Sequence, residues 1–301
     1  MVFQKEGDIM HKYMRTIGFS QYTSRQDLDK LLKKLVKDAS KSDILKESDG
    51  EMFCELRAQT APGMGVAIAG HLSQRGIFKQ EYYFPYVESS QVTSTADCSI
   101  QRHTERETFA GLLDEYRVGI SLIFYMENSM EYRLRLKNSQ PVFPKSASLS
   151  ALSIHGKILL PVQKTPQQTE DRKKAASKRS RLIEAAKRGD EEAIETLTVE
   201  DIDLFSSVSR RVAREDIYSI VDTCFMPSGI ECDQYSVIGN ILSVDRRINR
   251  ITGEEIFLLG LECNDLLFTA AINAADLLGE PVPGRRFKGQ VWIQGNVCFE
   301  A

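Results

Sequence analysis

Twelve residues, CSIQRHTERETF at positions 98–109, hold the densest group of proton-transfer side chains in the chain. Arg102, His103, Glu105, Arg106 and Glu107 fall together there, in a sequence with four histidines. An imidazole beside a carboxylate is held in one tautomer and is easier to protonate, the pairing that general acid–base catalysis uses. The spacing limits that use. On a helix His103 would face Glu107 and Arg102 would face Arg106, but His103 and Glu105 would point apart. The same letters also spell a helix start. Thr104 would cap it, Glu105 and Glu107 would sit at the positive end of the helix dipole, and Phe109, Leu112 and Leu113 would turn inward. That helix start is the favoured expectation. A hydrolase-type site built on Arg102, His103, Glu105 and Glu107 stands as the catalytic alternative.

A second chemistry is phosphate binding. Residues 171–188 carry eight Lys/Arg against two acids, a net +6, and Arg172, Lys173, Lys174, Lys178, Arg179, Arg181, Lys187 and Arg188 would form a basic helix. Further along, Arg246, Arg247 and Arg250 share one loop, and Arg285, Arg286 and Lys288 another. These six, with Trp292 as a stacking surface, are the candidate ligand-binding residues, and nucleic acid is a possible partner. Two observations oppose it. Residues 215–301 hold six Lys/Arg against thirteen Asp/Glu, a net −7 that repels a polyanion. Trp292 also sits in an alternating strand pattern, where cross-strand packing is the commoner role. The opposite signs of the basic helix and the acidic C-terminal unit lead to a further expectation, that the two attract each other.

Metal and cofactor chemistry find little support. The six cysteines include no CxxC pair, so they read as small core residues and a zinc site is not expected. His11 lies in a polar segment, His71 stands alone after VAIAG, and His155 falls in an expected turn. No GxGxxG, Walker-type or GxSxG motif occurs, and PGMGVAIAG has strand residues where a phosphate loop needs a helix start. No cofactor and no metal are therefore expected. The ionisable groups as a whole are expected on wetted surfaces.

The elements that must position these residues are easier to read. SRQDLDKLLKKLVKDA repeats Leu28, Leu31, Leu32 and Leu35 on one helical face, with Ser24 as its cap. EMFCELRA alternates Met52, Cys54 and Leu56 with charged residues, a half-buried strand. VGISLIFYM is apolar on both faces, SMEYRLRL is helical, and LSALSIHGKILLPV reads as a hairpin turning at His155-Gly156. A charged helical segment follows, broken by Gly189, with a second helix expected from Thr198 that carries Ile202, Phe205, Val208 and Val212 as its stripe. Then come a long strand, YSVIGNILSVDRRI, two shorter elements, and KGQVWIQGNVCF. In that last segment Val291, Ile293, Gly295 and Val297 face opposite Trp292, Gln294 and Cys298.

The pattern predicts an α+β protein in three parts. These are an N-terminal mixed α+β domain (1–165), a charged helical connector (166–214) and a small OB-like antiparallel β-barrel (215–301). Hydrophobic content of 42%, charged content of 27% and a net charge of −3 suit a soluble protein without global attraction to nucleic acid or lipid. No apolar run is long enough to span a membrane, and Lys5, Glu6 and Asp8 stand where a secretory signal needs apolar residues, which predicts a cytoplasmic location.

MHKYMRTIGFS, YRVGISLIFYMEN, the long run from RLIEAAKRGDEEAIETL to CDQYSVIG, and GRRFKGQVWIQG together resemble a known family. It is an uncharacterised family of anaerobic Firmicutes labelled only as a domain of unknown function, number 3881 in that series. The resemblance covers nearly the whole chain and implies a cytoplasmic bacterial protein. It supplies no reaction, cofactor or site residue. The expectation is thus a non-catalytic binding or scaffold protein acting through the barrel and connector. A protein partner or self-association is favoured over nucleic acid.

Overall fold

The computed structural model describes residues 11–46, 50–89, 91–102, 108–115, 117–162, 166–212, 216–230 and 232–300. The fold is mixed α+β, with two sheets. Four antiparallel strands, β1 (Lys41–Lys46), β2 (Met52–Ala61), β3 (Met64–Leu72) and β4 (Phe78–Val87), form the first in sequence order. Gly63, at φ +71°, supplies the left-handed residue of the tight turn between β2 and β3. Helix α1 (Arg25–Lys37) forms as its leucine spacing predicts. Ser24 caps it by accepting the Asp27 amide, and Leu28, Leu31, Leu32 and Leu35 are buried.

The second sheet takes strands from both sides of the connector. It contains β5 (Cys98–Arg102), β6 (Phe109–Glu115), β7 (Ile120–Met126), β8 (Pro144–Leu159), β9 (Cys224–Pro227), β10 (Gln234–Ile248), β11 (Glu255–Cys263), β12 (Leu266–Asn273), β13 (Leu277–Leu278) and β14 (Arg286–Phe299). Its order is β13-β8-β12-β11-β10-β14-β7-β6-β5, with β9 on β10. Strand β14 is paired on both sides over Arg286–Trp292, by β10 on one side and β8 on the other. Since β8 also pairs β12, the path β8–β12–β11–β10–β14 returns to β8. The β8–β12 pairing is parallel and the others in that circuit are antiparallel. Helix α2 (Ser129–Lys137) follows β7, while α3 (Pro166–Lys187), α4 (Glu191–Val212) and the single turn α5 (Ile217–Ile220) lie between β8 and β9.

Two apolar clusters divide along β14. Val291 and Ile293 join Leu149, Val237, Leu259 and Phe268 in one; Trp292 joins Tyr13, Phe84, Tyr125 and Leu152 against the first sheet in the other. The alternation predicted for this strand therefore holds. Its polar face is covered as well: Gln294 is buried and donates to the Pro85 carbonyl at 2.7 Å.

Three local expectations are corrected. Residues 109–115 form β6, not the first turns of a helix, and pair with β5 and β7. Gly111 stands opposite Phe124 in that pairing, and a Cβ there would lie 2.0 Å from the Phe124 ring, so the strand pair as packed accepts only glycine. The hairpin expected at His155-Gly156 is absent. Strand β8 runs straight through it, since β14 pairs along its whole length. Gly156 serves close packing instead, with Phe287 crossing 2.4 Å from where its Cβ would be. Finally, the second connector helix begins at Glu191 instead of Thr198. Gly189 takes φ +87° and Asp190 Oδ1 accepts the Ala193 amide at 3.1 Å, so the turn is already capped there. The side chains of Phe205, Val208 and Val212 lie outside those described.

Candidate functional site

Strands β1 and β2 pair so that Lys41 stands opposite Arg57 and Asp43 opposite Glu55. Like charges directly across a strand pair repel, and the arrangement is stabilised along the strands instead. Arg57 Nε donates to Glu55 Oε1 at 2.9 Å, and Lys41 Nζ lies 3.3 Å from Asp43 Oδ2. Residues two apart on a strand share a face. This face looks across at the other sheet, where Glu127 follows the apolar strand β7. Arg57 Nη2 donates to the Glu127 carbonyl oxygen at 2.6 Å, and its guanidinium lies 5.0 Å from the centre of the Tyr86 ring. The Glu127 carboxylate accepts from Ser150 Oγ at 2.9 Å and Asn296 Nδ2 at 3.3 Å.

Glu55 and Glu127 are both buried, and one guanidinium serves them. Burial pushes the Glu127 carboxyl up to about 7, against the pull of Arg57, Ser150 and Asn296. Burial likewise raises Glu55, with Arg57 opposing. Glu55 Oε2 has no hydrogen-bond partner among the described residues. Beside this group a cleft of about 640 Å³ opens between the sheets, lined by Lys41, Asp43, Glu55, Arg57, Glu88 and Asn296 among others. The expectation that ionisable groups stay on wetted surfaces is therefore corrected. Among the described residues no histidine lines this cleft.

The raised carboxyl gives a pH signature. A carboxyl whose folded value is raised stabilises the fold while it stays protonated. The contribution is complete below the ordinary value of 4.5 and is lost as pH climbs through about 7. Wild type and Glu127→Gln are expected to diverge by about 2–3 kcal/mol in urea unfolding between about pH 4.5 and about pH 8, wild type losing stability relative to the variant. Parallel pH profiles would place that proton elsewhere.

The residues singled out from sequence scatter. His103, Glu105 and Glu107 lie outside the described residues, and Arg102 is exposed at the end of β5. Arg286 is 3% exposed and donates to the carbonyl oxygens of Leu160 at 2.9 Å, Tyr218 at 2.7 Å and Val221 at 2.6 Å. It clamps together the two ends of the connector. Lys288 donates to the Tyr218 hydroxyl, and Arg285 to the Glu280 carbonyl. Arg246 lies 3.5 Å from Glu255 and Arg247 2.6 Å from Asp245, while Arg250 is exposed. The two basic loops do not meet on one rim. Arg286 stands opposite Asn240, and the six residues from there to Arg246 along β10 span about 20 Å.

Trp292 is buried, stacked 5.2 Å from Tyr13, and its Nε1 donates to Asp233 Oδ2 at 2.8 Å. It takes the packing role. The connector cations pair locally: Lys178 with Glu200 and Arg179 with Asp201, each at 2.8 Å, and Lys187 with Asp114 at 2.5 Å. Those acids lie on α4 and β6, so these pairs do not join the connector to residues 215–301. His11 packs 4.9 Å from Trp292, His71 lies between Glu51 and Glu81 at 3.4 and 3.2 Å, and His155 is mid-strand and exposed. Among the described residues no group of three His, Cys, Asp or Glu is placed to hold a metal ion, and no helix is long and apolar enough to cross a membrane.

Sequence reasoning missed Glu55, Arg57 and Glu127. In EMFCELRA the charged positions were assigned to solvent, as a half-buried strand implies. The one available signal was a glutamate directly following a strand apolar on both faces.

The family model described as "Domain of unknown function, E. rectale Gene description (DUF3881)" matches residues 14–295. No curated protein and no solved structure matches the chain. With the match running from the turn before α1 to the middle of β14, the chain belongs to the DUF3881 family.

Proposed function

We propose that the protein is a non-catalytic binding protein of the cytoplasm that engages a protein partner through its helical connector, carried on an OB-like barrel. The barrel reading is supported by the five-strand circuit, the strand number of an OB-type fold, with β8 drawn from before the connector. The observation that carries the partner reading lies on α4. Ile194, Val199 and Ile202 are 48–60% exposed, within one arc of a helix about 33 Å long. Arg286 holds the chain on either side of the two helices, at Leu160 and at Tyr218 and Val221, and Lys187, at the turn from α3 into α4, pairs with Asp114 on β6. Grouped apolar exposure on a rigid element is how protein-contact surfaces are built.

The test compares wild type with an Ile194→Glu/Ile202→Glu variant, each used as tagged bait in its own cytoplasm, with protein and nucleic acid both identified. A protein retained by wild type and lost by the variant, at unchanged circular dichroism, supports the reading. So does a shift from dimer to monomer in sedimentation. Nucleic acid retained equally by both, with affinity falling steeply with salt, would replace it by the alternative built on helix 172–188 and the loop arginines.

Acid–base catalysis has one observation in its favour, the raised Glu127. Both its carboxylate oxygens already accept hydrogen bonds, and unlike Glu55 it is not among the side chains that line the cleft, which leaves no approach for a substrate atom.

A further inference from the structure

We propose that the cleft between the two sheets binds a small organic primary amine, its ammonium seated on Glu55 with Asp43 opposite. The site is separate from the α4 surface and does not depend on it.

Three features of the geometry point to a cation. Glu55 is 1% exposed and lines the cleft, yet only one of its two oxygens is partnered; Oε2 has no donor among the described residues. A desolvated carboxylate oxygen without a donor is costly, and a ligand N–H⁺ removes that cost. Arg57 does not supply it in this geometry: its Nε is directed to Glu55 Oε1 and its Nη2 to the Glu127 carbonyl. Secondly, the one cation hydrogen-bonded to Glu55 among the described residues, Arg57, is bound to the other oxygen of that carboxyl. Thirdly, the register places Asp43 directly across from Glu55, and although Lys41 pairs with Asp43 at 3.3 Å, the cleft is lined by Glu88 and Glu131 as well, four carboxyl side chains against the two cations Lys41 and Arg57.

The class of cation follows from the donors and walls. Among the described residues no three ligating side chains are placed around a metal ion, so this set suits a charge that carries its own directional donors. An ammonium has three, enough for Glu55 Oε2, Asp43 and one further acceptor. A carbon chain beyond it has Met130 and Val297 in the lining to pack against. The volume of about 640 Å³ falls in the range that holds small molecules. An anion would find Lys41 and Arg57 in the same lining, but already paired with Asp43 and Glu55.

The test is calorimetric titration of the full chain with putrescine, spermidine and ethanolamine, and with magnesium chloride and succinate as the competing chemistries. Saturable one-site binding of at least one amine is expected. Glu55→Gln and Asp43→Asn should each weaken it by about tenfold or more, because each removes one partner of a desolvated charge pair. Glu195→Gln, on the exposed side of α4, should leave it within about twofold. Circular dichroism checks each fold, and the half-exposed Asp43 decides alone if Glu55→Gln does not fold. The proposal is overturned if no amine binds saturably. It is also overturned if the cleft variants bind like wild type, or if magnesium or succinate binds in a Glu55-dependent manner and the amines do not.

Discussion

Replacing Arg57 by methionine is expected to cost about 3–5 kcal/mol in urea unfolding at about pH 8, and markedly less at about pH 5. The reason is the pairing described above. The Arg57 side chain, 12% exposed, contacts the Glu55 carboxylate and the Glu127 backbone oxygen, and its charge acts on both carboxyls. Methionine fills much of the same volume, so packing changes little. What is lost is the charge, and two buried carboxyls are left without it. At acid pH they escape by protonation, which burial already favours in both and which for Glu127 sets in from about 7. The penalty should therefore shrink on acidification. Adding Glu55→Gln to Arg57→Met should recover part of the loss at about pH 8, a coupling that a double-mutant cycle reads directly. A pH-independent penalty, or one below about 1 kcal/mol, would mean the guanidinium only packs.

Trp292→Ala is expected to destabilise by about 3–5 kcal/mol, the usual range for emptying a buried aromatic site. The ring is enclosed by Tyr13 at 5.2 Å, His11 at 4.9 Å and Tyr125 at 5.3 Å. Its indole N–H also satisfies Asp233, which the smaller residue leaves without that donor. Trp292→Phe separates the two terms, keeping most of the stack while losing the hydrogen bond, and should cost about 1–3 kcal/mol. Because Trp292 is the single tryptophan of the chain, fluorescence reports on this site alone. Its emission should redden only when the fold is lost. A stable Trp292→Ala protein, or emission already red in the native state, would return the residue to the surface role considered from sequence.

The parts of the fold legible in the sequence are those where one face is apolar and one is wet. The leucine stripe and Ser24 cap of α1, and the alternation of β14 into two clusters, needed only local periodicity. Where packing is set by a distant element, local pattern misled. Gly111 and Gly156 look like helix or turn residues, yet both lie flat in strands because Phe124 and Phe287 cross them. Asp190 displaced the Thr198 cap because the chain had already turned at Gly189. The cleft was hidden for the same reason. Nothing in EMFCELRA says that a second sheet covers its charged face, and only the partner across the gap reveals that Glu55 and Arg57 are enclosed. The long strands of the circuit were found, but its closure by β8 depends on a segment read as part of another domain.

One guanidinium donating to the carbonyl oxygens of Leu160 and Val221 means that the chain leaves the second sheet and re-enters it at nearly the same spot. Some sixty residues thus form an excursion that returns to its starting point, tacked to β6 on the way by the exposed Lys187–Asp114 pair. No strand pairing runs through either helix, so a change of sequence along the excursion that keeps the two anchors and that one pair leaves every ladder in place.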